Sequence, residues 1–387
     1  MESIRLLLGL ACKNDWEIHQ IDVKTAFLYG DLDKEIYMEP APGMMHINGQ
    51  VLLLKKVIYG LKQARRQWYA KLKEMLTKFD MKQIATDPNT YVAHKVVNGK
   101  PCILVLPVYV DDLLPIGDKE LTDDFEKHIG TYFQVTLLGD ASHFLGIRII
   151  RDRQTRTLSI DQIKFADQII EKFWNDNLPK STPTPLLTSS ALLPNEGEKN
   201  LPMIQVYQQV VGSIMYLMLG TRPDIAYAVG LLARFSSNPS EEHITHLGCL
   251  ISFIRHTRKR YLNFQNDTEN KLEGYTDADY AGDHHNRKST SGYVFFTQGA
   301  AFSWRSRLQD TVAASTMESE YIALYHASCN AVWIRNFYEQ IGMALTEPLT
   351  IYCDNQPAIA VLKNEAAHKK AKHFKVKVHL FVHKGQQ

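Results

Sequence analysis

The chain has 387 residues, of which 45% are hydrophobic and 22% are charged, and its formal net charge is +2. This length predicts two or three domains, and the composition supplies enough apolar residues for a large core, which excludes disorder as the main state. A net charge so close to zero argues neither for nor against nucleic acid as a partner, because any basic surface must be local.

The five cysteines are scattered and contain no C-x-x-C pair. The sequence therefore predicts neither a zinc site nor a disulfide framework, and reduced thiols in an intracellular protein fit better. Arg5, Lys13 and Asp15 interrupt the short apolar start, so we expect no signal peptide. The most apolar stretch, Val210 to Leu219, is too short to span a bilayer, and we expect a soluble protein with no membrane partner.

The N-terminal part of the chain alternates between helical and extended patterns. Met1 to Lys13 has apolar residues at helical spacing and predicts an amphipathic helix, and Trp16 to Leu28 predicts a strand and a turn. Asp22 lies in an apolar context, where an unpaired carboxylate is costly, although a strand-end cap also explains it. A basic and aromatic run from Tyr59 opens a helix that runs to about Phe79, and fits a phosphate-facing surface or a solvated helix face.

Two adjacent aspartates interrupt an apolar run between Val108 and Leu114. Ile103 to Val110 predicts a buried strand and Leu113 to Ile116 its return, which puts Asp111 and Asp112 at the tip of a hairpin. Like charges beside apolar strands repel each other and lose hydration, and a divalent cation offsets both effects because hard cations prefer carboxylate oxygen. An Asp-Asp turn that faces water is the alternative.

The middle of the chain is predominantly helical in pattern, with a connection rich in proline, serine and threonine. Its predicted elements are a strand at Thr157–Ile160, helices at 162–173, 207–219, 223–235 and 243–255, and an extended connection at 179–202. The basic run from Arg255 to Arg260 suits phosphate contact, and a solvated helix end accounts for it equally well.

From Lys271 onward the pattern changes to strand, strand, helix, strand, helix. The strands are predicted at 272–277, 291–296 and 349–354, and the helices at 315–324 and 356–362. Asp277 and Asp354 each end a predicted strand, which indicates an α/β layer with an acidic edge. Each aspartate by itself is more often a turn or helix cap than a metal ligand.

Four motifs occur in the order and spacing of copia-type retrotransposon reverse transcriptases, and the resemblance continues almost to the C-terminus. They are Gln20–Leu28, Tyr59–Gln63, Gln67–Tyr69 and Tyr109–Asp112. The resemblance implies an α+β fold, in which a reverse-transcriptase palm with an antiparallel sheet and a helical thumb is joined to an α/β ribonuclease H-like domain. It assigns residues 1–180 to the palm, 181–204 to a linker, 205–268 to thumb or connection helices and 269–387 to the ribonuclease H-like domain.

By the same resemblance, Asp22, Asp111 and Asp112 match the palm carboxylates that hold two Mg²⁺ ions for nucleotidyl transfer, with Mn²⁺ as an alternative ion. Among the substrate-binding residues, Phe27 matches the aromatic residue that screens against a 2′-hydroxyl, Gln63 matches a polar residue near the incoming nucleotide, and Tyr109 precedes the aspartate pair. Phe144 and Gly146 lie in a segment that resembles the primer-grip hairpin, where glycine permits close approach of a backbone.

The resemblance also makes Asp277 and Asp354 metal-binding acids of the ribonuclease H domain. The third acid is Glu318 or Glu320, and residues two apart on a helix do not share a face. Ser315 and Glu318 have capping-box spacing, which gives Glu318 a structural role, so we choose Glu320 as the metal ligand.

The expected partners are an RNA template, a DNA primer, an RNA–DNA hybrid and deoxynucleoside triphosphates, in the cytoplasm, a virus-like particle or the nucleus. Two departures from the family weaken the expected activity. The basic fingers segment that grips the triphosphate does not precede the palm motifs, and Lys375 stands where the family has a fourth acid. The alternative function is therefore a truncated, catalytically silent relic that binds nucleic acid. The sequence does not determine an oligomeric state.

Overall fold

The structure is a computed structural model and describes residues 1–41, 43, 51–175, 177–187, 192–266, 271–363 and 381–384. Contacts divide the chain into two compact units, one of residues 16–144 and the other of residues 1–15 together with 145–387. This division cuts across the predicted palm segment 1–180. The four predicted domain limits are functional assignments and stay predictions.

The unit of residues 16–144 combines an antiparallel sheet with helices. Its strands are β1 (Glu17–Val23), β2 (Tyr37–Met38), β3 (Leu52–Leu53), β4 (Lys82–Gln83), β5 (Thr90–Val97), β6 (Lys100–Tyr109), β7 (Asp112–Leu113), β8 (Ile116–Gly117), β9 (Val135–Asp140) and β10 (His143–Phe144). Its α-helices are α2 (Ala64–Lys78) and α3 (Lys119–Gly130), and a 3₁₀ turn covers Ala26–Tyr29.

The main sheet of this unit places β1 beside the return of the central hairpin. Strand β6 pairs with β5 on one side and with both β7 and β8 on the other, and β7 and β8 pair in turn with β1. The predicted return strand is thus two short strands, because Pro115 lies between them and lacks the N–H that a ladder needs. Asn98 and Gly99 both have positive φ and close the β5–β6 hairpin, as an Asn-Gly turn does.

The apolar face of this sheet is covered by α2 and α3. Ile21 of β1 and Leu104 of β6 are completely buried and share a core with Trp68 of α2 and Phe125 of α3. Aromatic packing is dense there, since the Trp68 and Phe133 rings meet edge to face at 5.1 Å. This rigid layer holds the ends of β1 and β7, where the predicted acids lie.

The second unit is mixed α/β and includes the N-terminal helix. Its helices are α1 (Glu2–Asn14), α4 (Ile163–Phe173), α5 (Leu201–Gly220), α6 (Ala226–Ala233), α7 (Glu241–Thr257), α8 (Thr316–Gln340) and α9 (Gln356–Lys363). Its strands are β11 (Ile147–Asp152), β12 (Thr157–Asp161), β13 (Leu262–Gln265), β14 (Glu273–Asp279), β15 (Thr290–Thr297), β16 (Ala300–Leu308), β17 (Thr350–Cys353) and β18 (Phe381–Lys384). Throughout the described residues, no helix has the length and apolar character needed to cross a membrane.

A five-stranded sheet organises the C-terminal part of this unit. Its strand order is β16-β15-β14-β17-β18, in which β14 to β16 are antiparallel and β17 runs parallel to both β14 and β18. The sequence pattern missed β16, because its run AAFSWRSRL lacks clean alternation of apolar and polar residues. Gln298 and Gly299, both with positive φ, form the two-residue turn that pairs β16 with β15.

Several predicted element limits differ from the structure. Strand β14 continues two residues beyond Asp277, so that aspartate does not end its strand. Helix α5 begins six residues earlier than Tyr207, because the Asn200 side chain caps it by accepting from the Met203 N–H at 3.2 Å. The helix predicted at 223–235 is a 3₁₀ turn at Pro223–Ile225 followed by α6.

Helix α1 is anchored by a buried arginine. Arg5 is 2% exposed, its Nε donates to the Phe302 carbonyl at 2.6 Å, and its Nη1 donates to the Gly220 carbonyl at 3.0 Å at the end of α5. Its guanidinium lies 3.8 Å from the centre of the Trp304 ring. Burial lowers the pKa of Arg5 to about 9, opposed by the charge of Glu2. This one side chain therefore ties α1 to β16 and α5.

Candidate active sites

The first acidic group lies where β1 runs beside the central hairpin. Asp22 and Asp112 are direct cross-strand partners, and partners in that position have Cβ atoms about 5 Å apart. Asp111 occupies the turn between β6 and β7, and its carbonyl accepts from the Val23 N–H at 2.9 Å. The structure therefore brings together all three predicted acids of this group, which come from positions 90 residues apart in sequence.

A strained turn presents these aspartates, and Trp68 supports it. Val110 has a φ of 57°, in a region that β-branched residues rarely adopt. Trp68 is completely buried in α2, and its indole Nε1 donates to the Val110 carbonyl at 2.7 Å. A backbone outlier persists where its surroundings hold it in place, and this hydrogen bond does so. In the sequence Trp68 lies within the Gln67–Tyr69 motif, and that pattern indicates no role for its side chain.

The electrostatics of the turn are unfavourable in the absence of a cation. Burial raises the pKa of Asp112, the charges of Asp111 and Asp22 add to the shift, and a hydrogen bond with Gln20 opposes it. The carboxylates therefore destabilise one another, and a bound cation would relieve this repulsion. On chemical grounds these oxygen donors fit a hard divalent cation.

The predicted nucleotide-contacting residues lie in the same unit. Phe27 is half-buried in the 3₁₀ turn after β1, packs against the core that contains Trp68, and has its ring 5.8 Å from that of Tyr59. Gln63 immediately precedes α2 and is half-buried. Tyr109, at the end of β6, is 54% exposed. Their roles toward a nucleotide stay predictions.

The predicted primer-grip segment contains a tight turn. Phe144 is buried at the end of β10, whereas Leu145 and Gly146 belong to the second unit and both have positive φ. The Tyr216 hydroxyl donates to the Leu145 carbonyl, and a Cβ added at Gly146 would lie 3.0 Å from that hydroxyl. Glycine is therefore favoured at this position by its positive φ, and a larger residue would also require the Tyr216 hydroxyl to move by a few tenths of an ångström.

The second acidic group forms on the five-stranded sheet. Tyr275 pairs with Tyr352 between the parallel strands β14 and β17, so Asp277 and Asp354, two residues further along each, lie at the same level. Glu320 extends from α8, forms a hydrogen bond with Asp277, and accepts from the Ala278 N–H. The structure thus brings together Asp277, Glu320 and Asp354, and their role as metal ligands stays a prediction.

The geometry of α8 separates its two neighbouring glutamates. The Ser315 hydroxyl accepts from the Glu318 N–H at 3.2 Å, and the Glu318 carboxylate accepts from the Ala314 N–H at 2.7 Å. Glu318 therefore has a structural role at the start of the helix, although its carboxylate accepts from the N–H of Ala314 and not from that of the N-cap residue Ser315, as the predicted capping box requires. Its side chain is exposed. Glu320 is 7% exposed and is the glutamate that reaches the acidic group.

Within the second acidic group, the ionised form of Glu320 is destabilised by burial and by the neighbouring carboxylates. Burial raises its pKa to about 7, and the charges of Asp277 and Asp354 add to the shift. Its Oε2 atom is buried and has no hydrogen-bond partner among the described residues. A buried oxygen without a partner, on a carboxylate that lies beside two further carboxylates, fits a divalent cation as ligand to this group.

Cys353, for which the sequence pattern predicts no role, also lies in the second acidic group. The Cys353 Sγ and carboxylate oxygens of Glu320 and Asp354 lie within 4.8 Å of one another. Burial raises the pKa of Cys353 to about 11, and the charges of Glu320, Asp354 and Asp277 add to it. The residues from Lys372 to Lys375, including the lysine at the expected fourth acid position, lie outside the described residues.

Basic residues surround a cavity of about 470 Å³ between α4 and α7. Lys180, Arg255, His256 and Arg258 line it together with Asp167. The Arg255 guanidinium lies 4.4 Å from the centre of the Trp174 ring, and the Arg258 Nε lies 3.2 Å from the Asp167 carboxylate. The cavity is thus lined mainly by basic side chains, one of which is already paired with Asp167.

Comparison with known proteins identifies the class to which the N-terminal half of the chain belongs. A family model described as reverse transcriptase (RNA-dependent DNA polymerase) matches residues 1–186, which include all three aspartates of that group. The mixed α/β architecture with antiparallel sheets fits this class of protein. Residues 1–186 are therefore of the reverse transcriptase class.

Within this class, the chain belongs to the family of Pol polyproteins from copia-type retrotransposons. It is 41% identical to the retrovirus-related Pol polyprotein from transposon TNT 1-94 of Nicotiana tabacum over 98% of this chain and 29% of the relative. It is 33% identical to the corresponding polyprotein from transposon RE1 of Arabidopsis thaliana over 97% of this chain and 25% of the relative. The chain spans less than a third of the length of these polyproteins.

A shorter relative is covered almost completely. The chain is 30% identical to a putative transposon Ty5-1 protein of Saccharomyces cerevisiae over 78% of this chain and 97% of the relative. The family resemblance predicted from the four motifs is confirmed by these matches.

Proposed function

We propose that the chain is the RNA-directed DNA polymerase and ribonuclease H region of a copia-type retrotransposon polyprotein. Two separate acidic groups, each assembled from positions distant in sequence, carry this proposal. Its partners would be an RNA template, a DNA primer, an RNA–DNA hybrid and deoxynucleoside triphosphates. Its action would take place inside the cell, in the cytoplasm, a virus-like particle or the nucleus, as the family resemblance implies.

In the polymerase half, Asp22, Asp111 and Asp112 would hold the catalytic metal ions, Mg²⁺ or Mn²⁺. When bound, such ions lower the pKa of the attacking hydroxyl and neutralise charge on the phosphates. The chain's own contribution is positional. Trp68 holds the Val110 carbonyl and thereby the aspartate turn, and Tyr109, Phe27 and Gln63 would line the nucleotide side of the site. Phe144 and Gly146 would contact the primer.

In the C-terminal half, Asp277, Glu320 and Asp354 would hold the metal ions for cleavage of the RNA strand. The strand order, with β14 antiparallel to β15 and parallel to β17, supports a ribonuclease H-like domain. The raised pKa of Glu320 and its unpartnered oxygen support a site built for a cation. The weakening effect of Lys375 stays a prediction, and Lys375→Asp is expected to raise cleavage.

The basic cavity between α4 and α7 supports binding of the nucleic acid backbone. Arg255 and Arg258 would contact phosphates, with Lys180 and His256 at the same cavity. Phosphate contacts of this kind position a duplex without reading its sequence. A relic without turnover would keep this binding.

Cleavage of an RNA–DNA hybrid, measured with and without Mg²⁺, tests the proposal. We expect Mg²⁺-dependent cleavage that Asp277→Asn abolishes. Asp279→Asn is the matched control and should retain cleavage. It makes the same chemical change as Asp277→Asn, two residues further along the same strand. Tight hybrid binding with no cleavage by the unaltered chain would instead favour the relic. Primer extension on an RNA template, with Asp111→Asn as the inactive control, tests the polymerase half in the same way.

A further inference from the structure

Cys353 places a thiol beside two carboxylates that the proposed function already uses. Its Sγ lies within 4.8 Å of oxygens of both Glu320 and Asp354, and the residue is 2% exposed. Mg²⁺ is a hard cation that binds oxygen, so the proposed reaction has no use for sulfur. Thiolate sulfur instead favours softer cations such as Zn²⁺.

The same group contains an oxygen that lacks a partner. Glu320 is 7% exposed, its carboxylate faces Cys353 and Asp354, and its Oε2 has no hydrogen-bond partner among the described residues. A buried unsatisfied acceptor is rare in folded proteins and indicates that something is missing from the site. A cation bound between the thiol and the two carboxylates would satisfy it.

We propose that Glu320, Cys353 and Asp354 bind a thiophilic divalent cation of the Zn²⁺ type, which then excludes Mg²⁺ from the proposed ribonuclease site. The inhibitory part of this inference rests on the proposed function, whereas the binding part does not. Zinc–sulfur and zinc–oxygen bonds of about 2.3 and 2.1 Å at a tetrahedral angle need a sulfur–oxygen separation of about 3.6 Å. The three donor atoms lie within 4.8 Å of one another, so each sulfur–oxygen separation needs to shorten by at most about 1.2 Å.

When the cation binds, it replaces the proton of the Cys353 thiol. The Cys353 S–H bond breaks, its proton passes to solvent, and a metal–sulfur bond forms with no change of oxidation state. Three protein donors leave one position of a tetrahedral cation open to water.

Titration with Cd²⁺ tests this inference directly, because cadmium–thiolate bonds give a charge-transfer band in the ultraviolet. All proteins carry Cys329→Ser, so that the exposed thiol does not contribute. We expect one equivalent of Cd²⁺ to produce the band in the parent, and Cys353→Ser to lose it. Cys249→Ser is the matched control and keeps the band, since Cys249 is also buried and burial alone raises its pKa.

A band that persists in Cys353→Ser, or that disappears in Cys249→Ser, overturns the inference. If Cys353→Ser fails to fold, Asp354→Asn decides, because it keeps the thiol and should weaken Cd²⁺ binding on the order of tenfold. Unchanged Cd²⁺ affinity in that variant also refutes the site.

Cleavage assays on the same samples separate the two proposals. One outcome is that Cys353→Ser loses the band while the parent shows no Mg²⁺-dependent cleavage. This result would support the metal site and refute the ribonuclease function. Cleavage by the parent that Zn²⁺ does not inhibit refutes the regulatory part of the inference alone.

Discussion

Replacing Glu320 by glutamine should make the metal-free protein more stable at neutral and alkaline pH. The folded environment raises the pKa of this carboxyl from 4.5 to about 7, chiefly through burial and then through the charge of Asp277. Between these two pH values the folded state binds more protons than the unfolded state, so the free energy of unfolding falls as pH rises. Glutamine cannot ionise, and the variant should lack this fall.

The size of the effect follows from the pKa difference. A pKa unit corresponds to 1.36 kcal/mol, so a rise from 4.5 to about 7 destabilises the wild type by about 3 kcal/mol above pH 7 and by almost nothing below pH 4.5. Glu320→Gln should therefore match the wild type near pH 4 and exceed its unfolding free energy by about 3 kcal/mol near pH 8.

Urea unfolding in EDTA across this pH range provides the measurement. Glu318→Gln is the matched control, because Glu318 lies on the same helix but is exposed and caps the helix start. The control should show the wild-type pH dependence. An equal stability gain at pH 4 and pH 8 in Glu320→Gln would show that better packing, and not removal of a buried charge, is responsible, and the reasoning would fail.

Three further predictions address other parts of the chain. Trp68→Phe removes the donor to the Val110 carbonyl, so it should lower unfolding free energy by about 1–3 kcal/mol. Trp68→Phe should also slow primer extension by more than the loss of folded protein explains. Tyr29→Phe, which alters a ring of the same aromatic cluster, should not slow it in this way. Equal slowing in both variants would refute the role of Trp68 in positioning the aspartate turn. Arg5→Met leaves buried carbonyls unpaired and should lower the free energy of unfolding, measured in urea, by about 3 kcal/mol. Arg153→Met, at a more exposed arginine, is the control and should change that free energy by almost nothing. Arg255→Ala should weaken hybrid binding, with or without Mg²⁺, and reduce its salt slope by about 1; an unchanged slope would exclude phosphate contact.

Local pattern was sufficient where a feature depends on neighbours in sequence. The hairpin around Asp111 follows from two apolar runs separated by two carboxylates, and the structure has a strand on each side of the turn. The expected tip was Asp111 and Asp112, but the turn is formed by Val110 and Asp111, because Asp112 belongs to β7 and pairs there with Asp22 of β1. The choice of Glu320 over Glu318 followed from helix geometry and capping spacing, and the structure places only Glu320 in the acidic group. Local signals were weaker for β16, whose irregular pattern hid a strand.

Contacts between distant positions needed the tertiary structure. Nothing near Trp68 in sequence indicates that its indole would hold the Val110 carbonyl, 42 residues away. Nothing near Arg5 indicates that α1 packs with strands almost 300 residues later.

The sequence by itself indicated the family, the candidate acidic residues and most of the helices, because these depend on composition, order and periodicity along the chain. It gave no sign of α3 or of many short strands, among them β4, β9 and β13, whose formation depends on pairing with distant segments. Only the tertiary structure decided that Cys353 lies beside Glu320 and that Glu320 has an unpartnered oxygen. Such features arise when packing brings separate elements together and removes water from between them. Burial then alters the chemistry of groups whose sequence neighbours carry no sign of it.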